Sequence, residues 1–301
     1  KLRQVNIGYD PANVITASIP IPELRYSDGA TLNAYLRRIT DAVAALPGVR
    51  EVALTSAGPM RRTYGMGFDI VGRPAADHAH RPSTYIKTVS PSYFHAIGLN
   101  LLRGRPLNAH DVRGARRVAV INQAMARLYF PNEDPLVHKL ITGMAQTVAE
   151  IVGVVSDTHT LNLNTPPQPE YFLPALQRPE TFTTMVIRTE GDPAMLTNAV
   201  RAALRDVDPD QPLLNPQAYT TLIAQSVADR RLVMLLLAAF AGLALVLACL
   251  GVYSVMAYVV TQRTREIGIR MALGARPGTV LQRILSQCLR LTLIGVGAAA
   301  V

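Results

Sequence analysis

Few side chains in this 301-residue chain have the type and spacing that chemistry requires. Asp77, His78 and His80 could donate to a metal ion, since carboxylate and imidazole are common ligands. They share one polar loop, and no further ligands stand where they would complete a shell, so a solvated loop is the simpler reading. Asp206, Asp208 and Asp210 alternate like the opening of a calcium loop. Such a loop needs Gly at 211 and Glu at 217, and this chain has Gln211 and Gln217, so a helix end with solvated acids is expected. Gly65-Met-Gly67 lacks the third glycine of a dinucleotide loop, and a hairpin explains it better. No Gly-x-x-x-x-Gly-Lys-Ser/Thr stretch offers a phosphate cradle, so ATP binding by this chain is not expected. Nor does a Gly-x-Ser-x-Gly elbow frame the serines and six histidines as a hydrolytic triad. The sequence assigns no catalytic residue, no metal site and no cofactor.

The block Arg265–Ala275 is different. Glu266 and Arg270 stand one helical turn apart and can pair. Ile267 and Met271 share the opposite side, with Ile269 and Leu273 alongside and small residues at Gly268, Ala272, Gly274 and Ala275. A short amphipathic helix with an apolar ridge and a cationic edge suits insertion into a partner's groove. Its arginines (Arg265, Arg270) would then meet carboxylates on the rim. The plain alternative is a loop whose arginines set topology and touch lipid phosphates. Both readings stand on the residues alone.

What must position this block is the run before it. Leu232–Val260 contains no charged side chain. As a helix, those 29 residues would span about 43 Å, against a hydrocarbon thickness of roughly 30 Å. Residues 261–301 carry six arginines against Glu266 alone, whereas residues 1–260 carry 24 basic against 20 acidic side chains. More than half of the net charge of +9 therefore flanks the apolar run. That is the positive-inside pattern, with the block in the cytoplasm and the long N-terminal part outside, and it argues against a nucleic-acid partner. Lys occurs only at Lys1, Lys87 and Lys139. Both cysteines, Cys249 and Cys288, lie in apolar sequence, so no disulfide supports the N-terminal part. The chain starts on Lys1 without a leader and stops inside a second apolar stretch, so a fragment of a longer protein is expected.

The N-terminal part reads as α+β, with two β-α-β units flanking a strand-rich insertion. Val14–Glu23 alternates as a strand. Thr31–Leu46 then places Leu32, Tyr35, Leu36, Ile39, Val43 and Leu46 at helical spacing, with Thr31 as its N-cap, and Val49–Ser56 returns as a strand. The pattern recurs later: Thr181–Glu190 alternates, Asp192-Pro193 opens a helix, Asp208-Pro209 closes it, and Pro212–Pro216 follows. Two such units pair into one split β-α-β sheet covered by helices on one face. Between them, Phe68–Val71, Thr84–Val89, Val118–Ile121 and Glu150–Val155 are short strands, Ala124–Tyr129 is a short helix and Asn162–Pro169 a returning loop. Ala218–Asp229 is a helix leading into the apolar run. Past Ala275-Arg276-Pro277-Gly278, residues 279–301 begin a second membrane helix, with Arg283 near the interface and Arg290 deeper.

Arg263–Ala275 (RTREIGIRMALGA) and the preceding Leu250–Val260 resemble the segment after the second membrane helix of the permeases related to macrolide exporters and FtsX, the type VII ABC systems. Ser90–Arg105 (SPSYFHAIGLNLLRGR), Val118–Pro131 (VAVINQAMARLYFP) and Glu150–Val155 resemble that family's extracytoplasmic core. The resemblance implies an extracytoplasmic core over residues 1–225, with a sheet-and-helix unit at 1–60 and 166–225 around an inserted subdomain at 61–165. A transmembrane helix at 229–261, a coupling segment at 262–278 and the start of the next membrane helix at 279–301 would follow. It further implies a multi-pass protein of the bacterial inner membrane, without catalysis of its own. Its partners would be an ABC ATPase that binds the ATP, a second permease copy or half, membrane lipids and a periplasmic adaptor. Arg265, Glu266, Ile267, Arg270, Met271 and Leu273 would touch the ATPase, and the long helix would carry motion to the outer domain for export. Long variants of the family carry this unit twice, and the chain fits either copy. Rival readings are an outer ligand sensor and an FtsX-like regulator of cell-wall hydrolases. A membrane-anchored outer enzyme is a third.

Overall fold

The computed structural model describes residues 8, 10–22, 26, 28–58, 65–74, 81–143, 146–158, 165–262, 264, 265 and 269. The chain separates into two compact units, Lys1–Val227 and Ala228–Val301. In chain order the first unit contains β1 (Val14–Pro20), α1 (Gly29–Ala44), β2 (Val49–Thr55), β3 (Gly65–Ile70), β4 (Ser83–Val89), α2 (Tyr93–Ile97) and β5 (Leu101–Gly104). Next come β6 (Val118–Asn122), α3 (Gln123–Tyr129), β7 (Lys139–Thr142), β8 (Thr147–Val155) and β9 (Glu170–Pro174). They are followed by β10 (Phe182–Thr189), α4 (Pro193–Val207), β11 (Leu214–Ala218) and the long α5 (Tyr219–Gln262).

The two predicted β-α-β units interleave. Strand order is β11-β1-β10-β2 and every neighbouring pair is antiparallel, so β10 lies between β1 and β2 and β1 lies between β10 and β11. Register is set by alternation: Ile15 pairs with Ile187 and Ala17 with Met185. The inward residues Ile15, Ile19, Met185 and Ile187 meet Leu32, Leu36, Ile39 and Val43 of α1 and Val200 and Leu204 of α4 in one core. The predicted cap of α1 is corrected. Asp28 is the N-cap, accepting from the backbone N–H of Ala30 at 2.7 Å and of Thr31 at 3.0 Å, while the Thr31 hydroxyl donates back to Asp28. A carboxylate reaches two of the orphan N–H groups of the first turn at once, which displaces Thr31 from the role. At α4 the sequence signal holds: Asp192 accepts from Ala194 N–H at 2.9 Å, with Pro193 in the first turn.

The strands of the insertion close into a ring together with β9, which follows residue 165. β3 pairs with β4 and β7, β7 with β8, β8 with β6, β6 with β9, and β9 returns to β4 as a parallel pair. Inside this six-stranded ring sit Phe68, Ile70, Ile86, Ala119, Ile121, Leu140, Ala149, Ile151, Tyr171 and Leu173. The Asn122 side chain caps α3, accepting from Met125 N–H at 2.9 Å, and it accepts from Glu170 N–H at 3.0 Å as well. Strands β5, β7 and β9 and helix α2 go beyond the elements read from the sequence.

The ring and the interleaved sheet share one strand pair, Thr55 with Val89, and one core. α2 stands at the centre of that core: Tyr93, Phe94, Ala96 and Ile97 pack with Val14, Ala53 and Val186 of the sheet and with Val120, Val155 and Phe172 of the ring. The Ser92 hydroxyl donates to the Val52 carbonyl at 2.7 Å, and Ser90 accepts from Leu54 N–H at 2.9 Å, so α2 is tied to β2. Its other end turns at Gly98, whose φ of +74° favours glycine. Gly104 combines φ +73° with a close approach: a Cβ there would lie 2.2 Å from the Val152 carbonyl oxygen. Behind it, Arg105 makes a two-pronged pair with buried Asp111 at 2.8 and 2.9 Å, and Asp111 also accepts from Asn108 N–H at 2.8 Å.

Two outcomes follow for stability. Gly104→Ala must open the β5–β8 contact or strain the backbone, and is expected to cost about 2–4 kcal/mol in urea denaturation of the detergent-solubilised protein. Gly114, with positive φ but open space around it, is expected to cost less when changed to Ala. Burial opposes ionisation of Asp111, but the hydrogen bonds from Arg105 and Asn108 outweigh it and hold the carboxyl below its usual range. The unfolded chain binds that proton more readily. The stabilisation is therefore present above the ordinary carboxyl value of about 3.9 and is lost as pH falls through the lower folded value. Asp111→Asn is expected to flatten that acid limb of a stability-against-pH curve.

Candidate functional site: a long helix rooted in the core

α5 begins inside the first unit. Tyr219 is almost wholly buried in the core built on α2, and Leu222 and Ile223 pack against the same cluster. A helix whose first turn is held by three apolar side chains is fixed at its root by packing. At 44 residues it is about 66 Å long.

Within the second unit the helix changes character. Val233–Tyr258 contains an 18-residue window with a mean hydropathy of 2.8, none of it buried within the protein. Leu235, Leu237, Phe240, Leu243, Leu245, Leu247 and Val255 each expose well over half of their surface. A continuous apolar surface on every side of so long a helix has no counterpart in a water-exposed monomer. At about 39 Å it exceeds the hydrocarbon thickness of roughly 30 Å. Two hydroxyls of the helix are satisfied by its own backbone. Ser254 donates to the Leu250 carbonyl at 2.9 Å and Thr261 to the Ala257 carbonyl at 2.8 Å, as a medium without water requires. Gln262 donates to the Tyr258 hydroxyl at 2.8 Å, which places an amphipathic ring and a polar cluster at the end of the apolar stretch.

Of the residues predicted to couple to a partner, Arg265 is exposed, and so is neighbouring Ile269 at 56%. Glu266, Ile267, Arg270, Met271 and Leu273 lie outside the described residues, as do residues 279–301 with Arg283 and Arg290. The loop with Asp77, His78 and His80 lies outside them too. Asp208 ends α4, its side chain accepting from Asp210 N–H at 3.1 Å in the turn beyond, so these acids lie at a helix end, and Gly65 and Gly67 sit in β3. Sequence reasoning did not single out Tyr219. Its signal is only that a polar aromatic stands at the start of a helical pattern.

A folded α+β unit followed by a bare apolar helix defines a membrane-anchored protein. Residues 4–207 match the model of the MacB-like periplasmic core domain, and residues 238–301 that of the FtsX-like permease C-terminal region. The chain belongs to the MacB/FtsX family of ABC permeases, and it is a membrane protein with an extracytoplasmic domain. Among similar proteins, the macrolide export ATP-binding/permease protein MacB of Mannheimia succiniciproducens is 26% identical over 71% of this chain and 34% of its own. The uncharacterized ABC transporter permease YknZ of Bacillus subtilis is 22% identical over 97% of this chain and 69% of its own. The solved periplasmic region of MacB from Actinobacillus actinomycetemcomitans is 17% identical with a TM-score of 0.48, covering 76% of this chain and 98% of that one. The chain spans about a third of the length of the MacB relatives it matches.

Leu245→Arg, near the middle of the apolar stretch, is expected to cost about 2.5–3.5 kcal/mol of membrane insertion. A glycosylation-reporter assay of that segment should show insertion falling sharply, with Leu245→Ala close to the parent.

Proposed function

We propose that this chain is the non-catalytic permease part of an ABC transporter. In this reading, ATP hydrolysis by a partner ATPase drives motion of the extracytoplasmic unit for export. The observation that carries the reading is α5: one helix begins on buried Tyr219 and runs past the apolar stretch to Gln262, just before the cationic block. In this reading, motion at the cytoplasmic end of α5 would be passed to the core that holds its first turn. Arg265, Glu266, Ile267, Arg270, Met271 and Leu273 would form the ridge and edge that enter the ATPase, while ATP itself stays on that partner. A second permease copy or half, membrane lipids and a periplasmic adaptor complete the assembly. A multi-pass arrangement, with residues 279–301 returning into the bilayer of the inner membrane, belongs to the same reading.

The test pairs Glu266→Arg with Met271→Asp, which sets a like charge against Arg270 and places a charge on the ridge. Co-purification with the partner ABC ATPase, and the hydrolysis that the permease stimulates, should each fall at least about tenfold. An unchanged circular dichroism spectrum would show the outer unit intact. If association and coupled hydrolysis both survive the double substitution, the coupling role is wrong.

A further inference from the structure

The six-stranded ring is filled at its centre by Phe68, Leu140 and Tyr171, but one end is open. A cavity of about 310 Å³ lies there, at the lower end of the range for small-molecule sites. Its wall is apolar: Met66 of β3, Ala149 of β8, and Val118 and Leu173 at the ends of β6 and β9. Thr142 adds a hydroxyl, which is oriented toward the Thr147 carbonyl at 3.3 Å.

Two guanidinium groups stand on the same rim. Arg117 precedes inward-facing Ala119 by two residues, so its side chain leaves the strand on the cavity side. Arg178 is brought beside it by Gln177, whose amide donates to the Arg116 carbonyl at 2.8 Å and whose carbonyl oxygen accepts from Val118 N–H at 3.4 Å. Arg178 is balanced by Glu180 at 3.2 Å. Arg117 forms no ion pair with any described residue. An apolar pocket open at one end, with a guanidinium that pairs with no described residue at its mouth, is complementary to a molecule with an apolar tail and an anionic head. An apolar tail gains by leaving water, and the planar guanidinium takes a carboxylate at two points.

We propose that the open end of this ring is a binding site for a small amphiphilic carboxylate, with the tail against Met66, Ala149 and Leu173 and the carboxylate on Arg117. The site is independent of the transport reading, because it rests on the first unit alone.

The test uses the full chain in nanodiscs, methyl-labelled at methionine, titrated with sodium decanoate and separately with decanol. Met66 reports the cavity, Met185 the core under α1 and α4, and Met234 and Met256 the bilayer. The Met66 resonance should shift saturably with decanoate while Met185 stays fixed, and decanol should bind about fivefold or more weakly. Arg117→Ala, at an exposed position, should remove that preference. Arg117→Glu should transfer it to decylammonium. The proposal is overturned if Met66 does not move, if it moves only in step with Met234 and Met256, or if the two substitutions leave the preference for the carboxylate unchanged.

Discussion

The core built on α2 is the contact on which the rest of the extracytoplasmic unit depends. It draws Val14, Ala53 and Val186 from the interleaved sheet, Val120, Val155 and Phe172 from the ring, and Tyr219 from α5. The two strand systems otherwise meet at the short β2–β4 seam, through the Thr55–Val89 pair and the hydrogen bonds flanking it. Five helical residues could not form a stable helix by themselves. α2 exists because four of its side chains are buried, and burying Tyr93 and Phe94 between two sheets joins those sheets. Phe94 meets Phe172 edge-to-face at 5.2 Å, and Tyr93 lies 6.3 Å from the same ring, so the joint is aromatic at its centre. Burial also pushes the Tyr93 hydroxyl toward its neutral form, as a joint closed to water would.

This gives a physical meaning to the stretch Ser90–Arg105 that carries the family resemblance. Its serines fasten β2, its aromatic residues fill the joint, Gly98 and Gly104 allow the chain to turn and pass close to β8, and Arg105 closes on Asp111. None of these residues offers chemistry to a substrate. The resemblance reports an architecture, and that is why a sequence without catalytic motifs still placed the chain in its family.

The parts of the fold legible in the sequence are those with a local period. β1, α1 and α4 show alternation or helical spacing, and Asp192-Pro193 marks a helix start with two independent signals. β5 and β7 have only four residues each, and the five residues of β9 are all buried, so no alternation betrays them. Ring closure is less legible still. The pairing of β4 with β9 joins residues about 85 positions apart and depends on every strand between them. Asp28 escaped notice because a polar cap just before Thr31 competes with Thr31 on sequence alone. At the membrane end, composition sufficed for the apolar helix, whereas its root needed the tertiary position of Tyr219. The coupling ridge beyond Arg265 stays a reading of sequence.

The seam that closes the ring also explains one of the three lysines in an arginine-rich chain. Lys87 and Glu170, each almost wholly buried, meet at 2.7 Å across the parallel pair β4–β9, and Thr158 donates to the other carboxylate oxygen at 3.3 Å. The ammonium also lies 5.9 Å from the centre of the Phe172 ring. A guanidinium at Lys87 would bring five N–H donors into a space where an ammonium needs partners for only three. Removing two charges from water costs as much as their attraction returns, so the pair is a poor source of stability. Its effect is on register. β9 alternates between Tyr171 and Leu173, which face the ring interior, and Glu170 and Phe172, which face the joint. A slip of one residue would turn Glu170 into an apolar interior and leave Lys87 without its carboxylate, an error of several kcal/mol by the cost of an unpaired buried charge. Apolar strands such as Val118–Ile121 and Tyr171–Leu173 could otherwise pair in more than one alignment. The buried pair selects the alignment in which Phe172 points at Phe94, and so the ring can close only in the register that also builds the joint.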